Sequence, residues 1–354
     1  MRMRTLLFVL CSVVFLVHLF PGDASAGRAS YLAAAESHGK WGFINVKGEW
    51  VVPPKFDEFS GFFSANGLAP AKSEGKWGLI DAKGEWVVPP KLEYDVVRGF
   101  AANGLATACN RGKWGFIDAR GEWAIPPKFD SAGPFAANGL AAAESEKKSG
   151  FINGKGEWVI PPKFDAVEYF AVNGLAVAES HGKSGFINAK GDWVIPPKFD
   201  LAGPFAVNGL ISVRSHGKWG FINVKGKWVI QPKFSLAGPF AVNGLAPAAA
   251  NNGKWGFINT KGQWAIPPKF NDFVAFAENG LAAAKSGGKE GFINAKGEWA
   301  IPPKFDAVED FAANGWAGAE TNGKWGFIDT KGKWTIPPRF DAVWRFYAID
   351  TGRR

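Results

Sequence analysis

The apolar positions of this chain fall in short runs broken by glycine, not in helical stripes. Three kinds of run recur. One is Leu-Ala-x-Ala, as at Leu140–Glu144; the second is Trp-Gly-Phe-Ile-Asn, as at Trp219–Asn223; the third is Glu-Trp-Val-Ile-Pro, as at Glu157–Pro161. Each is about five residues long and rich in aromatic or β-branched side chains, which predicts strands bounded by turns. In the second strand Trp41 and Phe43 share one face, and Gly42 and Ile44 the other. Both faces are apolar, so both are expected to be covered. The glycine there is read as room for a large side chain from the next unit. In the third strand Trp50, Val52, Pro54 and Phe56 line one face, with Val51 and Lys55 on the other.

The turns between these runs have their own chemistry. Asn or Asp stands three residues before glycine between the second and third strands, as in Asn45…Gly48, Asp81…Gly84 and Asn188…Gly191. Asn or Asp opens a type I turn and glycine supplies the left-handed residue of a bulge, giving a tight hairpin. The connection at Ser37-His38-Gly39 reads the same way, with Lys147 in place of glycine in the fourth unit. Asn-Gly steps such as Asn66, Asn103 and Asn138 lead each unit into the next. Tight hairpins imply antiparallel meanders. The double prolines, Pro53-Pro54 and their counterparts, lack donors, and pairing is expected to stop there.

The pattern repeats nine times, marked by Gly42, Gly78, Gly115, Gly150, Gly185, Gly220, Gly256, Gly291 and Gly326, at spacings of 35 to 37 residues. A period of that size means stacked repeat units, each too small to stand alone. The stretch Gly39–Asp57, GKWGFINVKGEWVVPPKFD, resembles the WG (also KWG) repeat family, found mainly in bacteria. The resemblance covers most of the chain after residue 26 and implies a β-rich repeat array. It carries no established activity, so no functional residue is transferred from it.

The expected fold is all-β: nine antiparallel three-stranded units stacked in an open or superhelical array, with a closed propeller-like ring as the alternative. Nine exceeds the usual four to eight propeller blades. Unit one also holds its own first strand at Tyr31–Glu36. The last unit, with Lys333, Thr335 and Arg339 and a polar tail after Trp344 and Tyr347, reads as a cap.

The tryptophans divide in two. The second of each unit never varies: Trp50, Trp86, Trp123, Trp158, Trp193, Trp228, Trp264, Trp299 and Trp334. These are expected to form the structural core. The first is replaced by Ser149, Ser184 and Glu290 in three units. An unpaired carboxylate is not placed in a core, so Trp41, Trp77, Trp114, Trp219, Trp255 and Trp325 are expected at a rim, where they are candidate ligand-binding plates.

The N-terminus stands apart. MRMR is followed by an apolar run, Thr5–Phe20, then Pro21 and Ala24-Ser25-Ala26. About 16 residues is short for a span, and the small-x-small step fits a leader cleaved after Ala26. Residues 1–26 are expected to be a signal peptide and 27–354 the array, secreted or periplasmic, with no membrane span after cleavage. Losing Arg2, Arg4 and Asp23 takes the net charge from +9 to +8. The one cysteine left, Cys109, cannot pair within the chain and reads as a small buried thiol.

No cluster of departures from the repeat marks an active site. His38, His181 and His216 occupy one turn position. No Cys/His/carboxylate set has metal spacing, and no phosphate loop is present; neither a metal, a cofactor nor catalytic residues are expected. Asp57, Asp130, Asp165, Asp200, Asp306 and Asp341, each after a phenylalanine, read as turn initiators. Lysines recur at three places. One precedes the first tryptophan position (Lys40, Lys76, Lys113 and on to Lys324), one lies in the hairpin (Lys47 to Lys331) and one follows the prolines (Lys55 to Arg339). Stacking would align them in ladders facing a polyanion, although acidic neighbours such as Glu49 neutralise part of the charge. The expected function is a non-enzymatic scaffold that binds a protein or a polyanionic or glycan envelope polymer, not nucleic acid. The alternative is a carbohydrate module using the rim tryptophans with Lys40, Lys76, Lys113 and their equivalents.

Overall fold

A computed structural model describes residues 30–349, except Phe62, Val274 and Ala275. The expected signal peptide lies outside the described residues. The three expected strands form in every unit, and a fourth joins them. Blade two shows the plan: a short lead strand Glu58–Phe59, an alanine strand Ala69–Ser73, a glycine strand Lys76–Ile80 and a proline strand Trp86–Leu92. They pair antiparallel in that order, and eight sheets among the described residues repeat it.

The first blade corrects the expected open array. Its lead strand comes from the far end of the chain. Ala342–Val343 pairs with Ala35 and Glu36 of the Ser30–Ser37 strand, and Tyr347–Ile349 pairs with Ser30–Leu32 of that strand. The nine blades therefore close into a ring, the alternative arrangement. The physical reason is the lead strand itself. It is only two residues long in most blades, so it carries no strand pattern, and the Phe-Asp-Ala-Val stretch reads as a connection. What resembled a cap is the closing element: Trp344 meets Trp41 at 5.8 Å and Phe346 is buried against Phe327 at 4.6 Å.

The double prolines do not end pairing. In blade one Phe43 faces Val52 and Trp41 faces Phe56, so Pro53-Pro54-Lys55 swell past Gly42 alone. That bulge explains the glycine. A β-carbon at Gly78 would lie 2.5 Å from the Val88 carbonyl oxygen, and one at Gly150 would lie 2.8 Å from the Pro161 carbonyl carbon. The space is filled by the blade's own proline strand, not by a side chain from the next unit.

Both faces of the glycine strand are covered, as expected: Phe43 and Ile44 are fully buried, as are Phe116 and Ile117. The glycine-to-proline hairpins are the expected bulged turns. Gly48 N–H donates to Asn45 O, Asn45 N–H to Glu49 O, and Gly48 has φ 76°. The hairpin glycine also makes room between blades, since a β-carbon at Gly156 would meet Ile125 of the preceding blade at 2.6 Å. The turn before the glycine strand keeps the expected bulged form at residues 251–253 and is tighter in the other blades. His38 and Gly39 both have positive φ, as do Glu146 and Lys147 where glycine is missing, which is the two-residue turn that suits strand twist.

Candidate functional site

The first tryptophan position fits the expected rim at four tryptophans and departs from it at two, and the second departs from the expected core. At the first, Trp77 is 1% exposed and Trp219 7%, while Trp41, Trp114, Trp255 and Trp325 are half-buried. The Trp77 Nε1 donates to Asp95 O at 3.4 Å. Ser149 and Ser184 at this position are also buried. Glu290 fits because its carboxylate is not unpaired: it accepts the Val308 N–H at 2.8 Å and contacts Lys285 Nζ at 3.3 Å. The position thus admits a carboxylate where the folded blade supplies its partners.

The second tryptophans, expected to be core, are half-buried, and Trp264 is 37% exposed. All but Trp123 meet a phenylalanine of the preceding blade edge-on, as in Phe129–Trp158 at 5.5 Å and Phe164–Trp193 at 5.4 Å. Where the sequence has Leu92 in place of phenylalanine, Tyr94 takes over. Its ring lies 4.8 Å from Trp123 and its hydroxyl donates to Gly121 O at 3.0 Å. The invariant ring is therefore a seam residue between blades, packed against the core and partly exposed.

Two of the three lysine ladders are tied up in the same seams. After the prolines, Lys128 donates to Gly156 O at 3.0 Å and Lys304 to Gly332 O at 3.0 Å, each across to the next blade and each over its own neighbouring phenylalanine. Before the first tryptophan, Lys148 pairs with Asp165 at 2.6 Å and Lys183 with Asp200 at 2.7 Å; Lys40 and Lys113 pair with Asp57 and Asp130. Those aspartates do more than start turns. Asp130 also accepts the Glu146 N–H at 2.8 Å, and Asp306 accepts the Asn322 N–H at 2.8 Å. Each carboxylate thus links one blade's lysine to the next blade's turn. The lysine ammonium holds Asp57, Asp130, Asp165, Asp200, Asp306 and Asp341 below the usual aspartate range. Where Ser235 replaces the aspartate, Lys218 bonds Asn251 at 2.6 Å instead.

The hairpin ladder is the one facing outward: Lys47, Lys83, Arg120, Lys155, Lys190, Lys225, Lys261, Lys296 and Lys331 are all exposed. Acidic groups also gather near the closing seam. Burial, and then the Asp310 charge, raise Glu309 to about 7; burial raises Asp310 to about 6, and the Arg345 guanidinium opposes both shifts. His38, His181 and His216 are exposed turn residues, and Cys109 is a buried free thiol. Among the described residues no group of three or more His, Cys, Asp or Glu side chains is placed to hold a metal ion.

Between blades four and five the surface carries a cleft of about 350 Å³, lined by Lys163, Phe164, Ser180, Gly191, Asp192 and Trp193. The sequence reading did not find it. The signal lay in the alternation of the third strand, where exposed Val194 between half-buried Trp193 and buried Ile195 leaves one face of the strand uncovered.

The repeat itself decides the family. A family model described as WG containing repeat matches residues 41–77, 77–114, 114–148, 150–183, 185–219, 219–255, 255–289, 291–325 and 325–348. The chain belongs to the WG repeat family. No curated protein matches it significantly. Among solved structures, the WG repeat ring is similar to a eukaryotic initiation factor, with a TM-score of 0.64 at 11% identity over 91% of this chain and 98% of that one. That is a likeness of fold alone. Apo AztD from Citrobacter koseri gives a TM-score of 0.41 at 12% identity, over 90% of this chain and 98% of that one. The extracellular domain of a one component system from B. thetaiotaomicron gives 0.35 at 9% identity, over 87% of this chain and 58% of that one.

Proposed function

We propose that this WG repeat ring is a non-enzymatic binding scaffold, secreted or periplasmic after cleavage at Ala26, that holds a protein or an envelope polymer on its repeated faces. The observation that carries the reading is the return of the same exposed features from blade to blade. The hairpin cations return in every blade. Val172, Val207 and Val242 stand 100, 73 and 64% exposed at the same turn of three successive blades. Aligned apolar turn tips of this kind mark contact surfaces, and aligned cations favour an extended anionic partner. Many weak contacts in register give affinity without any one special unit. Capture from native envelope material by the immobilised chain tests the reading. A partner eluted by salt supports the hairpin cations; a partner lost in a Val172→Ser, Val207→Ser, Val242→Ser variant supports the turn tips. Retention of nothing from the envelope overturns the scaffold.

The carbohydrate reading through the first tryptophans keeps support only at Trp41, Trp114, Trp255 and Trp325, because Trp77 and Trp219 are enclosed. It gains support at another place, the cleft lined by the second tryptophan Trp193.

A further inference from the structure

We propose that the cleft between blades four and five, with Trp193 in its lining, is a saccharide subsite that takes a neutral, hydroxyl-rich polymer, and that the equivalent seams repeat it around the ring; the proposal rests on the scaffold reading and names its ligand class and place.

The cleft between blades four and five has the needed parts. Its lining includes the half-buried Trp193 indole, which is held by the edge contact with Phe164 at 5.4 Å and 84°. Around that plate stand an acceptor, donors and a hydroxyl. Asp192 is exposed, and its carboxylate accepts from Asn188 Nδ2 of its own hairpin at 3.4 Å. Lys163 lies over Phe164 at 5.2 Å. Ser180 Oγ is 2.9 Å from His181 Nδ1. A flat, rigid ring with a polar border suits a ligand that is apolar on one face and polar at its edge. A pyranose has that shape, with C–H bonds on its faces and hydroxyls at its rim.

Charge separates the ligand classes. Asp192 and Lys163 face one cleft with opposite signs, so an uncharged ligand meets both donor and acceptor while an anion meets a carboxylate. The residue after the hairpin glycine repeats this choice as Glu49, Glu85, Glu122, Glu157 and Glu298. Only Lys227, Gln263 and Lys333 depart from it. This pairing of signs favours a neutral sugar, and the seams at Lys227, Gln263 and Lys333 lack the carboxylate. Each cleft is shallow and binds weakly; a chain long enough to reach successive clefts gains by effective concentration.

The test uses the full chain with cellohexaose and mannohexaose as neutral probes and polygalacturonate as the anionic one, read by tryptophan fluorescence and isothermal titration. Expected is binding of a neutral hexasaccharide with a fluorescence change, altered less than about twofold between about 50 and 500 mM salt. The variant Glu85→Ala, Glu122→Ala, Glu157→Ala, Asp192→Ala removes surface acceptors without touching the seams, and should weaken binding about tenfold while leaving the melting temperature near that of the parent. Unchanged affinity in this variant overturns the cleft assignment. Tighter, salt-sensitive binding of polygalacturonate overturns the neutral-ligand assignment. Absence of binding to every saccharide overturns the inference, and the envelope capture then decides separately whether the scaffold reading stands.

Discussion

Phe340 and Trp50 come from opposite ends of the array, yet their rings meet at 5.5 Å and 85°, the same geometry as Phe129 and Trp158 inside it. Arg339 likewise donates to Gly48 O across the closing seam, as Lys304 does to Gly332 O within the chain. The closing seam is thus made by the ordinary blade-to-blade contacts, with Arg339 in the lysine's role.

Closure should depend on the last fourteen residues. A chain ending at Phe340 loses the lead strand of blade one together with Val343, Trp344 and Phe346, and leaves Ala33 and Ala35 uncovered. The truncated chain is expected to have a larger radius of gyration by small-angle scattering and a broader, earlier thermal transition than the full chain.

Gly150→Ala should be far worse than Gly139→Ala. A β-carbon at Gly150 meets the proline-strand backbone at 2.8 and 2.9 Å, whereas at Gly139 nothing lies within 4 Å and only the positive φ of 79° is penalised. Losses of about 3 kcal/mol and about 1 kcal/mol are expected in denaturant melts.

The tryptophan positions should rank by burial and not by constancy. Trp77→Ala empties an enclosed site and is expected to cost about 3–5 kcal/mol. Trp264→Ala removes a 37% exposed ring held mainly by Phe234 at 5.5 Å and should cost about 1–2 kcal/mol. Chemical denaturation of the two variants side by side measures the difference.

The blade-to-blade cation should tolerate Arg but not an apolar side chain. Lys304→Arg copies the arrangement at Arg339 and should be near neutral. Lys304→Met keeps the packing against Phe305 but loses the bond to Gly332 O, with an expected cost of about 1 kcal/mol.

Stability should fall on both sides of a mildly acidic optimum. The clamped aspartates lie below their ordinary value of 3.8, so their contribution is present above it and drains away as the pH drops further. Glu309 and Asp310 have the opposite sign. Raised to about 7 and about 6, they favour the fold when protonated, and that contribution is lost as the pH climbs from the ordinary carboxyl range through those values. The melting temperature is expected to peak at about pH 4–5. Glu309→Gln should flatten the decline towards pH 8 and leave the acid limb unchanged.

The strands, the bulged hairpins and the ninefold period were legible in the sequence because each rests on local chemistry: Asn45 before Gly48, or Phe43 beside Ile44. Closure was not legible. Ala342 and Val343 form a strand only because Ala35 and Glu36 wait for them at the far end of the chain, and no local pattern records that. Pro53 and Pro54 misled because a bulge lets the strand resume pairing at Phe56. The tryptophan burial was read backwards at Trp77, because the argument from Glu290 assumed an unpaired carboxylate, while the folded blade supplies the Val308 N–H. The cleft between blades four and five was missed because a side chain can be invariant for packing and still be partly exposed, as Trp193 is.

Since Ser30 pairs with Ile349, the two described ends lie next to each other, and the closing seam uses the same contacts as the others. Where translation begins is then close to arbitrary as far as the folded ring is concerned. A short peptide joining the ends, with new termini opened in the exposed turn at Asn138-Gly139, should give a circular permutant with the same ring and the same melting behaviour.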